Sequence, residues 1–598
     1  MTFVLIDNSL GGSGSGSGGC HLFERPLQVV TACDPGDVAA SLARLEEALA
    51  QGFHVAGYFS YELGYLLEQR LGALLPKTRA MPLLWFGIFD TGRRLSARAA
   101  GNWLAARAGG YDVSDLRADL GESAYLKTFA EAREMIAAGD IYQINLTFKS
   151  RFKLDGCPIA LYRDLRAKQP TQYGAIIKTD EFTILSLSPE LFLQRDGTII
   201  TTRPMKGTEP RRGNERDDEQ ARKLLAGDDK QRAENLMIVD LMRNDLGRIS
   251  QIGSVAVEDL FAVETYPTLH QMTTSVRARL HNDPGLMELL QALFPPGSIT
   301  GAPKIRAMQL IRKFEQSPRG VYTGAIGMIS PDRSMSLNVA IRTAVVTADG
   351  RGEIGIGSGV VADSDGGTEY AECLLKSKFF SDPVRDFKLI ETMLYDGELY
   401  DDSCGIWLLD EHMARLETSA GYFGFAFDGL AIAEKLEAFI AARQGQRLRV
   451  RLLLGVDGRL DLSAARQPAT SPDHVVSYVV SPTRLNPQNI YLQHKTTRRQ
   501  LFDDEFARYS GKGADEVIYC NDRDELSEGS RTTIFLERHG RLITPALSSG
   551  LLPGTLRAHL LAGGQAVEEV LSVDELARAE TVYLGNSVRG LQRARLMK

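Results

Sequence analysis

The sequence predicts a mixed α/β (α+β) protein made of two unlike units. Three observations carry that expectation. At 598 residues the chain exceeds what one hydrophobic core usually organises. Stretches of helical periodicity alternate with short apolar runs of β character along its length. Near residues 381–386 (SDPVRD) a charged helical stretch ending in KSKFF stops at a proline before a fresh β start, and no internal repeat relates the two sides.

The elements follow in order. MTFVLIDNSLGG has no basic flank and too short an apolar run for a secretion signal, so the cytoplasm is the expected location. The tract GGSGSGSGG (11–19) is expected to be flexible and is given no function. DVAASLARLEEALAQG has the spacing of an amphipathic helix and HVAGYFSYE that of a strand. LFLQRDGTIITTRP reads as a hairpin turning at Asp196-Gly197, and FKLIETMLYDGELY as another turning at Asp396-Gly397. GDDKQRAENLMIVDLMRNDLGR predicts a helix with Glu234, Asp240, Arg243 and Asp245, and TEYAECLLKSK a helix with Glu369, Glu372 and Lys376 on one face. HVVSYVVSP is the expected strand before Lys495, with a polar helix after it.

Composition excludes several function classes. Hydrophobic and charged fractions of 43% and 24% are ordinary for a globular protein. A net charge of −7 and the lack of a basic tract with interleaved aromatics argue against a nucleic-acid partner. Six cysteines without CxxC spacing suggest neither zinc nor a disulfide framework. No run approaches the roughly 18 to 20 apolar residues of a membrane span.

Lys206, in TTRPMKGTEPRR, sits between Pro204 and Gly207 on the way out of a β run. Such a stretch is ordinarily a solvated turn. Glu190, in LSPELF, lies at the other end of the hairpin, so the carboxyl and the amine either share a pocket or form a cross-strand ion pair. The acidic faces of the two helices are solvated surfaces or, together, an oxygen-donor site that favours Mg2+ over zinc. FPPGSITGAPKIRA, YTGAIG, VAIRTAVV and GIGSGVVADSD add glycine turns and Arg342, features that can bring backbone N–H groups and a guanidinium to an anion.

Taken in this order, GDIYQINLT, SPELF, RPMKGT, ENLMIVDLMRNDLGR, PPGSITGAPK, YTGAIG, IRT, GSGVVADS and EYAECLLKSK make the span from about Gly121 to Phe380 resemble the chorismate-utilising enzymes. The resemblance implies a large β-sandwich core with flanking helices, with 1–120 as an N-terminal subdomain and 121–382 as the catalytic region. In that family, lysine in the P-x-K-G-T motif goes with amination of chorismate to 4-amino-4-deoxychorismate, and alanine with anthranilate synthesis. The resemblance makes Lys206 the nucleophile, which needs an uncharged amine, and Glu190 the acid for the departing hydroxyl. It makes Glu234 and Glu372 the Mg2+ ligands, with Glu369 as helper. Arg342, Tyr322, Lys376, His270, Gly357 and Gly359 are the expected substrate-binding residues. Gln143 stands where water-adding relatives carry a lysine. Methionine before Lys206 departs from the usual isoleucine, a change that conserves volume. With no glutaminase motif in view, ammonia is expected from solution or from a separate glutamine amidotransferase.

Past the junction, EHMARLETSAGYFGF with His412 and Arg415, RLRVRLLLG, the Lys495 segment, ELSEGSRTTIF, ITPALSSGLLPGTLR and YLGNSVRG make 387–598 similar to the fold-type IV pyridoxal-phosphate enzymes. By that resemblance Lys495 carries the cofactor and moves the substrate proton. Glu528 pairs with the pyridine nitrogen, and Arg449, Thr555, Asn586 and Ser587 hold the phosphate. The resemblance leaves room for a homodimer through this unit. It departs at the start, where relatives have an extra segment before the first strand. The two resemblances together imply synthesis of 4-aminobenzoate, a folate precursor, from chorismate. The alternatives for the second unit are a branched-chain or D-amino acid aminotransferase and a non-catalytic cofactor-binding scaffold, and for the first unit an anthranilate synthase.

Overall fold

Alternation within the strands dictates how the first unit is layered. Along Phe3–Asp7, Phe3 and Leu5 turn to one side and Val4 to the other; along Tyr173–Lys178, Ile176 faces one way and Ala175 and Ile177 the opposite way. Both faces are therefore buried. One face belongs to a core of Val4, Ala175, Ile177, Ile184 and Val345 meeting Ala56, Tyr58, Trp85 and Ile326 of a second sheet. The other is covered by helices such as Pro158–Lys168. The second sheet is covered in turn by Val38–Ala50, Asp229–Gly247, Leu286–Leu293 and Lys304–Phe314.

The computed structural model describes residues 1–10, 19–211, 215–266, 269–381, 387–398 and 405–597, apart from 424, 444, 457, 470, 472, 473 and 488. Most of the Gly/Ser tract, the junction at 382–386, Cys404 and the second run of the expected hairpin at Asp396-Gly397 lie outside the described residues. Residues 1–210 with 220–384 form one compact unit, and 211–219 with 385–598 a second.

In the first unit two antiparallel sheets of ten strands each form the sandwich. Strands from the first 120 residues enter both: Phe3–Asp7 pairs with Tyr173–Lys178, and His54–Phe59 with Ala325–Ile329. The pairing that matters most for the site lies in the second sheet. Ile199–Arg203 and Met205–Pro210 run consecutively along the same long strand, Leu269–Arg279, and their register slips between Met205 and Thr208. Leu191–Asp196 pairs with Ile199–Arg203, as expected of a hairpin turning at Asp196-Gly197. Gln143–Gly156 and Arg351–Val360 pair over ten residues in the first sheet.

The second unit has a three-stranded antiparallel sheet, Leu389–Asp396, Arg447–Leu454 and Leu460–Arg466, packed on helices Leu409–Phe423 and Gly429–Ala441. An eight-stranded mixed sheet follows, in which Val476–Leu485 runs parallel to both Glu516–Asn521 and Gly590–Leu596. The partner of Leu389–Asp396 is thus a strand some fifty residues on. Among the described residues Cys20, Cys33, Cys157, Cys373 and Cys520 are free thiols, and no helix is long and apolar enough to cross a membrane.

Candidate active sites

The slip between Met205 and Thr208 is where Lys206 lies. Gly207 takes φ +81°, a left-handed conformation, and a Cβ there would meet the Gln231 side chain at 3.0 Å. A bulge of this kind re-aims one side chain while the strand continues. Gln271 locks it by donating from Nε2 to the Gly207 carbonyl at 2.7 Å and accepting from the Thr208 hydroxyl at 3.0 Å. The ammonium of Lys206 stands 3.6 Å from a Glu234 carboxylate oxygen, each side chain 16% exposed.

Gly359 shows what else converges here. A Cβ built on it would lie 2.8 Å from Lys206 Nζ, 3.0 Å from Gln143 Nε2 and 3.1 Å from Asn145 Oδ1. Gln143 is fully buried, yet among the described residues neither end of its amide has a partner. Asn145 is held by its Nδ2 donating to the Ser298 carbonyl at 2.7 Å. A buried amide left unpaired is costly unless a ligand completes it.

Glu190 is 5% exposed. Burial pushes its carboxyl up to about 7, against the opposing pull of a Ser298 hydrogen bond and the charge of Lys206. The carboxyl and the amine thus share one electrostatic environment, Glu190 preceding the strand that pairs with Ile199–Arg203. Arg342 holds φ +49°. Burial pulls its guanidinium down to about 10, with Tyr266 opposing, and it makes no ion pair among the described residues. A desolvated cation of that kind is an anion site in waiting. The two residues share a small cavity wall with Met205 and Gln271.

The other expected residues lie around this centre. His270 is 1% exposed, its Nδ1 3.0 Å from the Thr265 hydroxyl. The Tyr322 phenol, raised above its ordinary value chiefly by burial, belongs to a ring packed against Gly355. Lys376 donates to the Gly357 carbonyl at 3.1 Å and pairs with Glu372 at 2.6 Å. Glu369 lies one turn earlier on the same helix, Gly366–Ser381. Helix Gly366–Ser381 packs on strand Arg351–Val360, and helix Asp229–Gly247 on Met205–Pro210. Both carboxylate-bearing helices therefore flank the elements that bring Gly359 and Lys206 together. Among the described residues no three metal-ligating side chains cluster. Carboxylate oxygens are nevertheless the donors Mg2+ takes, commonly one or two at a time with substrate and water oxygens completing the shell, so this donor set fits that ion.

In the second unit, Lys495, Glu528, Arg449, Thr555, Asn586 and Ser587 all line a single cavity of about 550 Å3. The first strand fixes the lysine: Ile390 N–H donates to the Lys495 carbonyl at 2.8 Å. Burial lowers the Lys495 amine to about 8, helped by Arg415 and Arg499, while Glu391 and Glu528 oppose. Burial raises Glu528 to about 8; the Leu552 N–H, Lys495 and Arg499 work against the rise. The amine is thus poised to react near neutrality, and burial outweighs the nearby cations at the carboxyl. Thr555 opens helix Thr555–Ala562 after Gly554, so free N–H groups face the cavity wall that also holds Asn586 and Ser587. An amine, a buried carboxyl and an anion cradle in one cavity fit pyridoxal phosphate.

Four residues with positions in these sites escaped role assignment from sequence. Ser298 and Asn145 lie inside recognised motifs and Gln271 follows His270, but no spacing rule ties them to Glu190, Gly359 or Lys206. Arg415 also lines the cofactor-sized cavity, bonded to Glu391 at 2.6 and 2.9 Å and to the Pro553 carbonyl at 3.1 Å. Glu391 and His412 complete its support. Although burial opposes its charge, Arg415 and His412 hold the Glu391 carboxyl down at about 2.

Comparison with known proteins agrees with this geometry. Residues 388–597 match the family described as amino-transferase class IV. Aminodeoxychorismate synthase of Streptomyces griseus is 44% identical over 254 residues, covering 42% of this chain but only 35% of the relative. Aminodeoxychorismate synthase component 1 of Klebsiella aerogenes is 38% identical over 336 residues, 53% of this chain and 74% of the relative. The chain thus spans about a third of the first relative and about three quarters of the second. The crystal structure of anthranilate synthase component I from Streptococcus pneumoniae TIGR4 is 25% identical, covers 64% of this chain and 92% of its own, and superposes with a TM-score of 0.52. Residues 31–382 match the family described as chorismate binding enzyme, and the chain belongs to that family.

Proposed function

We propose that the chain makes 4-aminobenzoate from chorismate in two steps, one in each unit, with 1–120 supporting a catalytic region at 121–382 and a lyase unit at 387–598. The observation that carries this reading is the meeting of Lys206, Gln143 and Asn145 over Gly359, with Glu190 held protonated up to about 7 beside the lysine.

In the first step the Lys206 amine adds to C2 of the chorismate ring. Both ring double bonds shift, C1=C2 to C1=C6 and C5=C6 to C4=C5, and the C4 hydroxyl leaves as water with the proton of Glu190. Ammonia then adds to C4, both double bonds shift back, and Lys206 is expelled from C2. The sum is chorismate plus ammonia giving 4-amino-4-deoxychorismate plus water. A hydroxyl is a poor leaving group, so an acid that keeps its proton near neutrality is what the step needs. Arg342, with Tyr322, would hold the enolpyruvyl carboxylate, and His270 and Lys376 would border the ring. Glu234 and Glu372, helped by Glu369, would hold Mg2+, which supplies charge against the ring carboxylate. Gln143 offers an amide in place of a water-activating base. The ammonia would come from a separate glutamine amidotransferase.

In the second unit pyridoxal phosphate supplies an electron sink next to the substrate amine. Lys495 binds it and takes the proton from the amine-bearing ring carbon. Glu528 holds the proton of its ring nitrogen. Arg449, Thr555, Asn586 and Ser587 would hold its phosphate, with Arg415 adding charge. The neighbouring C–O bond breaks, enolpyruvate leaves to become pyruvate, and the ring becomes aromatic.

Supplying chorismate, Mg2+, ammonia and pyridoxal phosphate to the purified chain and weighing the products tests both steps. 4-Aminobenzoate and pyruvate are expected, with Lys495→Ala accumulating the amino intermediate and Lys206→Ala blocking its formation. Anthranilate as product, or undiminished flux in both variants, refutes the assignment.

A further inference from the structure

The second cavity holds more positive charge than a cofactor phosphate needs. Besides Arg415 and Arg449 it is lined by Arg451, Arg531 and Arg589. Arg531 and Arg589 also line an adjoining recess of about 480 Å3, which neither Lys495 nor Glu528 lines, so they stand where the cavity continues away from those two residues. Arg451 stands two residues from Arg449 on Arg447–Leu454, hence on the same face. Its cross-strand neighbours are Thr392 and Ser463, small enough to leave the guanidinium room.

None of Arg449, Arg451, Arg531 and Arg589 forms an ion pair among the described residues. The Arg531 guanidinium lies 3.7 Å over the Phe506 ring, which fixes its place. Burial lowers its pKa, and the charges of Arg499 and Arg589 add to the effect despite Glu516 and Asp503. Like charges gathered beside an apolar ring repel one another until an anion enters.

We infer that Arg531 and Arg589, with Arg451 across from them, form a carboxylate subsite that selects a dicarboxylate substrate over monocarboxylate amino acids. The inference rests on the lyase reading and sharpens it. In 4-amino-4-deoxychorismate one carboxylate lies across the ring from the amine and another on the ether at the adjacent carbon. When the amine faces Lys495, a carboxylate must sit a ring's width away, where the arginines are. A branched-chain or D-amino acid carries its carboxylate on the amine-bearing carbon and would leave them unmatched. Paired N–H donors in a fixed plane suit a carboxylate.

The test uses the full chain loaded with pyridoxal phosphate. Chorismate, a dicarboxylate without an amine, is compared with benzoate, and the cofactor absorbance band reports the second cavity alone even though the first unit also takes chorismate. Chorismate should perturb the band at concentrations at least about tenfold below benzoate, and Arg531→Gln with Arg589→Gln should weaken chorismate about 10- to 100-fold, the worth of one or two charged hydrogen bonds. The unliganded band and the melting temperature should stay as in wild type, which separates loss of the subsite from misfolding; Arg451→Gln, on a different element, should act in the same direction. Equal affinity for chorismate and benzoate, or chorismate binding unchanged in these variants, overturns the subsite. Failure of the lyase reading looks different: no 4-aminobenzoate forms from 4-amino-4-deoxychorismate while the dicarboxylate preference remains.

Discussion

Gly359→Ala should abolish most of the amination while leaving the fold intact. The added methyl would stand 2.8 Å from Lys206 Nζ, 3.0 Å from Gln143 Nε2 and 3.1 Å from Asn145 Oδ1. Comfortable contact needs about 3.5 Å or more, so the amine must retreat by roughly 0.5 to 1 Å. The strand conformation at Gly359 suits alanine, and the closest contact is the far end of a flexible side chain, so the stability cost should stay within about 1 kcal/mol. The reacting geometry is less forgiving. A displacement of about 1 Å from the attack position costs on the order of 100-fold in rate. The assay follows 4-amino-4-deoxychorismate from chorismate and ammonia in a Lys495→Ala background, beside thermal melts. Wild-type amination by a folded Gly359→Ala variant would refute the meeting of Lys206, Gln143 and Asn145 over Gly359 as the reacting centre, and with it the assignment of Lys206 as nucleophile.

Two further predictions concern protons. Because Glu190 titrates at about 7 and acts as an acid, amination at constant free ammonia should fall about tenfold per pH unit well above that value, and Glu190→Gln should lose about 10² to 10⁴ in rate. The same shift, from 4.5 to about 7, means the unfolded chain releases this proton first, so the wild-type fold should lose stability as pH rises across that window and Glu190→Gln should not; parallel melts at several pH values decide it. For Lys495 the neutral amine should appear as pH rises through about 8, so cofactor capture, followed by stopped-flow absorbance, should accelerate to a plateau just above it. A rate still climbing near the ordinary lysine value of 10.5 contradicts the buried setting.

The sandwich was expected only through the resemblance to the chorismate-utilising enzymes, whereas the helix of Glu234 was legible because nineteen residues from Asp229 to Gly247 keep helical spacing behind the cap at Asp228. The hairpin turn at Asp196-Gly197 was legible for a local reason, since Gly197 takes φ +57°. The pairing of Leu389–Asp396 with Arg447–Leu454 was not, because two helices come between them in the chain and it is packing on those helices that brings the strands together. Residue types at Lys206, Glu190, Lys495 and Glu528 belong to the sequence alone, since chemistry limits what can stand there. Tertiary structure decided what surrounds them. The slipped register that aims Lys206, the Gln271 clamp, the unpaired amide of Gln143 and the arginines where the second cavity continues into its recess all depend on residues tens to hundreds of positions apart. Local spacing carries no information about such distances; burial and strand pairing do, and they exist only once the chain has folded.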